Sequence, residues 1–262
     1  MLLLVAAILA GCGLPGEYPL LEPPVLPYSG YVADNVAQFQ FLNQPQTVTG
    51  QVTGFELYYK LYDPATVGYL TDVTTINNAF APTATAPPTD VPGYLTQLGF
   101  HRVVEELPQP SSYVYGTDLS PQQLTQLNPV PLISIAPDQM LFSLSVTIDF
   151  KTAIGSNETD SFPAVTSSAP AQLLPPGIAR LLQDPAKPGS YILRGFGSSD
   201  YYSSDSDVTA ANIQLRANGS LQVGMIAVAY SSNVLTSPPQ ILYSAPLALG
   251  VITYPSTITP GT

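Results

Sequence analysis

The chain has 262 residues, of which 45% are hydrophobic and only 10% charged, with 28 prolines and no tryptophan. So much proline excludes a coiled coil and disfavours long helices, whereas the apolar fraction suffices for a sizeable core. The net charge of −11 argues against nucleic acid as a partner, and seven cationic residues are too few for a polybasic lipid-binding patch. One cysteine and one histidine exclude an intrachain disulfide and a zinc site with several protein ligands.

An apolar run from Met1 to Ala10 precedes the single cysteine, Cys12. The run is too short to cross a bilayer, and the small residues that follow it are typical of a signal-peptide cleavage region. Leu9-Ala10-Gly11-Cys12 resembles the lipobox of bacterial lipoproteins, which implies a signal peptide over 1–11 and acylation of Cys12. The alternative is a buried cysteine at the end of a core helix. No basic residue precedes the apolar run, so a natural start upstream of Met1 stays open.

A proline-rich segment follows the cysteine and extends over 12–27. Proline fixes the backbone in extended conformations, so we interpret this segment as a semi-stiff tether that holds a domain off a membrane. Its last part fits a second interpretation equally well, in which it lies along a sheet edge, where proline is tolerated.

Alternating apolar and polar residues predict strands near 36–42 and 54–62. In the second strand Tyr58 and Tyr62 fall on the face opposite the predicted core. Two interpretations of this tyrosine-bearing face remain open: an exposed contact surface, or a face covered by the long insertion that follows.

The segment 63–138 is predicted to be an insertion that contains short helices. The run from Leu119 to Leu124 has a serine cap, a proline in the first turn and a glutamine that completes a capping box. One or two helical turns are also predicted for 91–98 and, further along the chain, for 178–182.

Further strands are predicted over 139–150, 221–230 and 241–252, with a shorter candidate at Tyr191–Arg194. The second and third are apolar on both faces in places, which favours central positions in a sheet. The fold class is therefore predicted to be all-β: an antiparallel β-sandwich with a long insertion.

We expect one sandwich domain over 28–256, with two small sandwiches divided near 108–130 as the rival organisation.

Two sets of short runs carry a resemblance to known families. Gly54 to Lys60 resembles strand C of a fibronectin type III domain, and 226–230 and 243–249 resemble strands F and G. Phe39 and Phe41 stand where strand B of that family usually has a tryptophan. The resemblance implies a fibronectin type III or immunoglobulin-like sandwich. The lipobox, the tether and the runs Phe-Glu-Leu-Tyr-Tyr-Lys and Leu-Tyr-Ser-x-Pro together are similar to lipoproteins of spirochaete-type bacteria, a family with no assigned activity.

Residues that could carry catalysis are scarce. His101 is the only imidazole, it sits in a short strand-like run, and no G-x-S-x-G motif supplies a nucleophile for it. Glu105 and Glu106 are neighbours in that run and point to opposite faces of a strand, so they cannot act as a facing pair. We therefore predict no catalytic site and no cofactor, and no metal site apart from the loop considered next.

One loop is a candidate ligand or calcium site. Asp200, Tyr201, Tyr202, Asp205 and Asp207 combine carboxylates and hydroxyls, which are the hard oxygen ligands that Ca²⁺ prefers. The spacing does not match an EF-hand, and an exposed, solvated turn is the plainer interpretation.

These features predict a lipid-anchored protein of the cell envelope, in the inner or outer membrane. We expect a non-enzymatic binding or adhesion module with a protein or glycan partner, whose ligand surface lies in the insertion and loops. The alternatives are a structural envelope component and a carbohydrate-binding module.

Overall fold

A computed structural model describes residues 21–33, 37–43, 52–107, 115–127, 131–135, 144–151, 162–168, 174–210, 220–233 and 240–255. The predicted signal peptide, Cys12 and the first part of the predicted tether lie outside these residues, as do 139–143 of the predicted strand 139–150. No helix in the described segments is long and apolar enough to cross a membrane.

The described segments form mainly strands, with short helices between them. In chain order the elements are β1 (Gln38–Leu42), β2 (Gly54–Tyr62), α1 (Gly68–Ala79), α2 (Val91–Gln97), β3 (His101–Glu105), α3 (Pro121–Gln126), β4 (Ile133–Ser134), β5 (Ser145–Asp149), β6 (Ala164–Ser167), β7 (Ile178–Gln183), β8 (Tyr191–Arg194), α4 (Ser206–Ala210), β9 (Ser220–Asn233), β10 (Gln240–Tyr243) and β11 (Leu247–Pro255).

Two antiparallel sheets form a sandwich-like arrangement, which confirms the predicted all-β class. The small sheet has the order β1-β5-β6, and the large sheet has the order β10-β9-β2-β3-β7-β8, with β11 beside β9 and β4 beside β2. The longest contact runs between β2 and β9, which pair over nine residues from Gly54 opposite Tyr230 to Tyr62 opposite Gln222.

The main core lies between the two sheets and is built from alternating side chains. Phe39 and Phe41 of β1 point into it, and Phe41 meets Phe55 of β2 edge to face with ring centroids 4.9 Å apart. Every second residue of β2 from Phe55 to Leu61 is buried in this core. The two-residue alternation of apolar side chains thus determines which face of each strand points into the core.

Helices cover the outer face of the large sheet. Tyr58 of β2 packs with Ile76 of α1, Leu95 of α2 and Ile226 of β9 in a second buried cluster. Tyr62 is also buried. The tyrosine-bearing face is therefore covered by the insertion and is not an exposed contact surface.

Several predicted elements need correction. The prediction of helical turns at 178–182 is wrong, because β7 occupies Ile178–Gln183 and is apolar on both faces. The predicted strand 241–252 is two strands, β10 and β11, separated by Ser244–Pro246. The insertion 63–138 contains three short helices in its described part, but it also contributes β3 and β4 to the large sheet.

The N-terminal segment lies along β1. Val25 exchanges backbone hydrogen bonds with Leu42, and the Gln38 N–H donates to the Ala33 carbonyl at the other end of the strand. Leu21 is buried in the main core. The sheet-edge interpretation therefore holds for the last part of the predicted tether.

Candidate functional site

An arginine is the centre of the polar interior. The alternation of β7 sends Ile178 and Arg180 inward, while Ala179 faces the cluster under α3. Arg180 is fully buried, an environment that arginine tolerates only when its charge is paired and its donors are bound.

The loop 200–207 and Gly195 supply those partners. Arg180 Nη1 donates to Asp207 Oδ2 at 2.8 Å, and Nη2 lies 3.5 Å from Asp205 Oδ2. Nε donates to the Gly195 carbonyl at 2.8 Å, and Nη2 also donates to the Asp200 carbonyl. The loop is therefore wound around the guanidinium group. We call Arg180, Asp200, Asp205 and Asp207 together the Arg180 centre.

Aromatic side chains complete the enclosure. The guanidinium carbon of Arg180 lies 4.3 Å from the ring centroid of Tyr201, a cation–π contact inside the protein. The Tyr59 hydroxyl of β2 donates to Asp207 Oδ2 at 2.9 Å. Arg194 stacks on Tyr202 at 4.1 Å, and its Nε lies 3.6 Å from Asp205 Oδ1.

Burial and neighbouring charges both shift the pKa values of Arg180 and Asp205. Burial lowers the pKa of Arg180, but Asp207, with Tyr201, Tyr59 and Asp205, raises it to well above its ordinary value, so the guanidinium stays charged. Burial raises the pKa of Asp205, an effect that Asp207 strengthens and Arg180 opposes.

The expectation that loop 200–207 is an exposed, solvated turn is wrong. Asp200, Tyr201, Asp205 and Asp207 are buried, and Tyr202 is half-buried. The structure does bring the five predicted residues together, but around two cations of the protein itself, Arg180 and Arg194. Among the described residues, no group of three or more carboxylate, histidine or cysteine side chains is arranged to hold a metal ion.

A cavity of about 210 Å³, lined by both polar and apolar residues, adjoins the Arg180 centre. Asp207 forms one side of it, and Lys60, His101, Gln97 and Leu98 line the rest together with Leu61 and Gly99. Burial lowers the pKa of His101, and the positive charges of Arg180 and Lys60 add to this effect while Asp207 opposes it. His101 is therefore neutral near pH 7.

A second surface feature is an apolar groove of about 320 Å³ beside the start of β1. Tyr31 and Val32 line it from the N-terminal segment, Val67 and Leu70 from the start of α1, and Val251 from β11. Val67 and Leu70 are 73% and 65% exposed, and Val32 is 45% exposed, so three exposed large apolar side chains are grouped at this groove. None of the described residues that line the groove is charged.

Sequence reasoning found the acidic loop but missed Arg180, Tyr59, Lys60 and the groove. A usable signal was present for Arg180, because a lone cation inside an apolar run needs carboxylates, and the loop 200–207 carries three. Comparison with protein-family models, with curated proteins and with solved structures finds no match for this chain.

Proposed function

We propose that this chain is a lipid-anchored cell-envelope protein that works as a non-enzymatic binding module, with the apolar groove as its binding surface. The observation that carries the proposal is the exposure of Val67 and Leu70 at the rim of an uncharged groove. Exposed apolar side chains that are grouped around one groove are typical of an interaction site.

The anchor rests on the lipobox-like run that ends at Cys12. Eight residues separate Cys12 from Leu21, the first described residue, and Leu21 is already buried in the sandwich. Eight extended residues span at most roughly 28 Å, so the acyl chains would hold the sandwich close to the membrane surface.

The position of the groove favours a protein partner over the bilayer. The N-terminal segment reaches the sandwich beside Leu42, at the end of β1, whereas the groove lies beside Ala33 and the start of β1. The anchored end and the groove thus lie at opposite ends of β1. We assign as occupant an uncharged, apolar segment of another envelope protein, because the lining offers no charge to a charged ligand.

The finer fold assignment is also a proposal: a fibronectin type III or immunoglobulin-like sandwich. Such sandwiches keep strands C, F and G in one sheet and strand B in the other. Here β2, which resembles strand C, pairs with β9, which contains the strand F run 226–230. The strands β10 and β11, which contain the strand G run, lie on the other side of β9. The strand β1, at the place of strand B, is in the small sheet. This order supports the proposal.

Site-specific photocrosslinking in intact cells tests the function. Val67 is replaced by p-benzoylphenylalanine, and Ile241 of β10, which is 58% exposed and lies outside the groove, is the matched control position. We expect one discrete envelope protein to be crosslinked from position 67 and not from position 241. Adding Leu70→Asp should abolish the crosslink without changing the melting temperature, because Leu70 is exposed.

Other products contradict the assignment. A crosslink from position 67 to lipid makes the groove a bilayer contact, and a crosslink to a second copy makes it a dimer interface. Equal crosslinking from positions 67 and 241 removes the groove as a specific surface.

A further inference from the structure

The cavity beside the Arg180 centre is built by the way in which α2 ends. The Gly99 N–H donates to the Thr96 carbonyl and the Phe100 N–H to the Leu95 carbonyl, with Gly99 at a φ of +82°. This is the Schellman termination, which needs a left-handed residue and therefore glycine. It turns the chain directly into β3, so that His101, the first residue of β3, comes to line the cavity.

Lys60 also lines the cavity, and it binds the end of the same helix. Its Nζ donates to the Leu98 carbonyl, the C-cap of α2, at 2.6 Å and to Asp72 Oδ2 at 2.6 Å. A cation next to terminal helix carbonyls is favoured by the helix dipole. The end of α2 and Lys60 therefore hold each other in place, and both line the cavity.

The walls of the cavity carry hydrogen-bonding capacity that the described residues do not use. A lysine ammonium has three N–H donors, and Lys60 uses two in the contacts above. Neither ring nitrogen of His101 has a hydrogen-bond partner among the described residues, so a neutral imidazole offers one donor and one acceptor. These groups suit a ligand that both donates and accepts, as hydroxyl groups do.

The charges around the cavity are already paired. Lys60 is bound to Asp72, and Asp207 is bound to Arg180, so neither a free anion nor a free cation finds an unpaired countercharge there. The volume of about 210 Å³ corresponds to about seven water molecules and is below the usual range for drug-sized ligands. A small uncharged ligand fits both observations.

We propose that this cavity is a second binding site, independent of the apolar groove, and that it takes a small uncharged polyhydroxyl molecule of the size of a single sugar ring. In this site Lys60 and the donor nitrogen of His101 bind hydroxyl oxygens of the ligand. The acceptor nitrogen of His101 accepts a hydrogen bond from a hydroxyl group of the ligand.

The single histidine makes a direct test possible, because His101 gives the only histidine imidazole signals in an NMR spectrum of the full chain. The protein is kept in a sugar-free zwitterionic detergent and titrated separately with glucose, N-acetylglucosamine, sodium phosphate and sodium acetate. We expect saturable shifts of the imidazole signals with at least one of the sugars and none with phosphate or acetate.

Two tryptophan variants show whether the cavity itself is the site. Gln97→Trp, at the exposed rim on α2, should weaken sugar binding at least tenfold by filling the opening. Thr74→Trp, at an exposed position of α1 away from the cavity, should leave binding unchanged. The proposal is overturned if neither sugar shifts the signals, if phosphate or acetate saturates them instead, or if both variants bind equally well.

Discussion

Replacing Arg180 by methionine should cost more stability than replacing any exposed cation of the described chain. Arg180→Met removes the guanidinium that lies 2.8 Å from the buried carboxylate of Asp207, and it leaves Asp205 with Arg194, at 3.6 Å, as its remaining cation. Removing one partner of a buried, hydrogen-bonded ion pair destabilises a protein by about 3–5 kcal/mol. For a chain of this size, each kcal/mol lowers the melting temperature by roughly 2–4 °C, so we expect a drop of roughly 6–20 °C.

The assay is thermal and urea unfolding followed by circular dichroism, with two further variants. Lys187→Met is the matched control, because Lys187 pairs with Asp118 at 2.6 Å but is mostly exposed, and it should leave the melting temperature unchanged. Arg180→Met combined with Asp207→Asn should recover part of the loss, since the amide keeps an acceptor for Tyr59 without the buried charge. Equal melting temperatures for Arg180→Met and Lys187→Met would refute the view that the Arg180 centre organises the interior.

Three further predictions follow from other parts of the molecule. Folding lowers the pKa of His101, so as the pH drops the imidazole of the unfolded chain is protonated before that of the folded chain, and stability falls as the pH drops through about 6.5. His101→Gln should therefore reduce the difference between the urea midpoints at pH 5.5 and pH 7.5. An unchanged difference would contradict the lowered pKa of His101. Gly54→Ala would place its Cβ 2.0 Å from the Ile133 carbonyl oxygen, where β2 meets β4. Urea unfolding should therefore show that the free energy of unfolding falls by about 1–3 kcal/mol. An unfolding midpoint equal to that of the wild type would contradict this contact. Limited proteolysis within 108–130 should yield fragments that unfold together, as one domain requires, whereas two separately stable fragments would favour two sandwiches.

The strands of the sandwich could be predicted because their signal is local. In β2 the alternation of large apolar residues from Phe55 to Leu61 marks one buried face whatever the strand pairs with. The start of α3 was equally readable: Ser120 and Gln123 form both hydrogen bonds of the predicted capping box, at 2.9 and 3.3 Å. Such elements depend on residues a few positions apart.

Elements whose form depends on distant residues were not readable. β7 carries apolar residues on both faces, because one face meets the core and Arg180 and the other meets the cluster under α3, so its pattern does not separate strand from helix. α1 has neither a side-chain cap nor an acidic first turn, and it forms because Ile76 packs on the outer face of the sheet. Tertiary packing decides both cases.

The residues of the loop 200–207 were predicted correctly as a cluster, but the prediction of their surroundings was wrong. Clustered carboxylates next to tyrosines normally indicate a solvated loop, and Asp205 and Asp207 are buried only because Arg180 reaches them from a strand 25 and 27 residues earlier. The groove had no signal in the sequence, because Val32 and Val67 come from separate segments and read as ordinary apolar residues.

The central claim, a binding module held at the membrane by acyl chains, is tested most directly by the mass of the mature N-terminus. Intact and peptide-level mass spectrometry of the protein from its native membrane should show that the chain begins at Cys12 and carries acyl groups. An N-terminus at Met1, or an unmodified Cys12, would contradict the account.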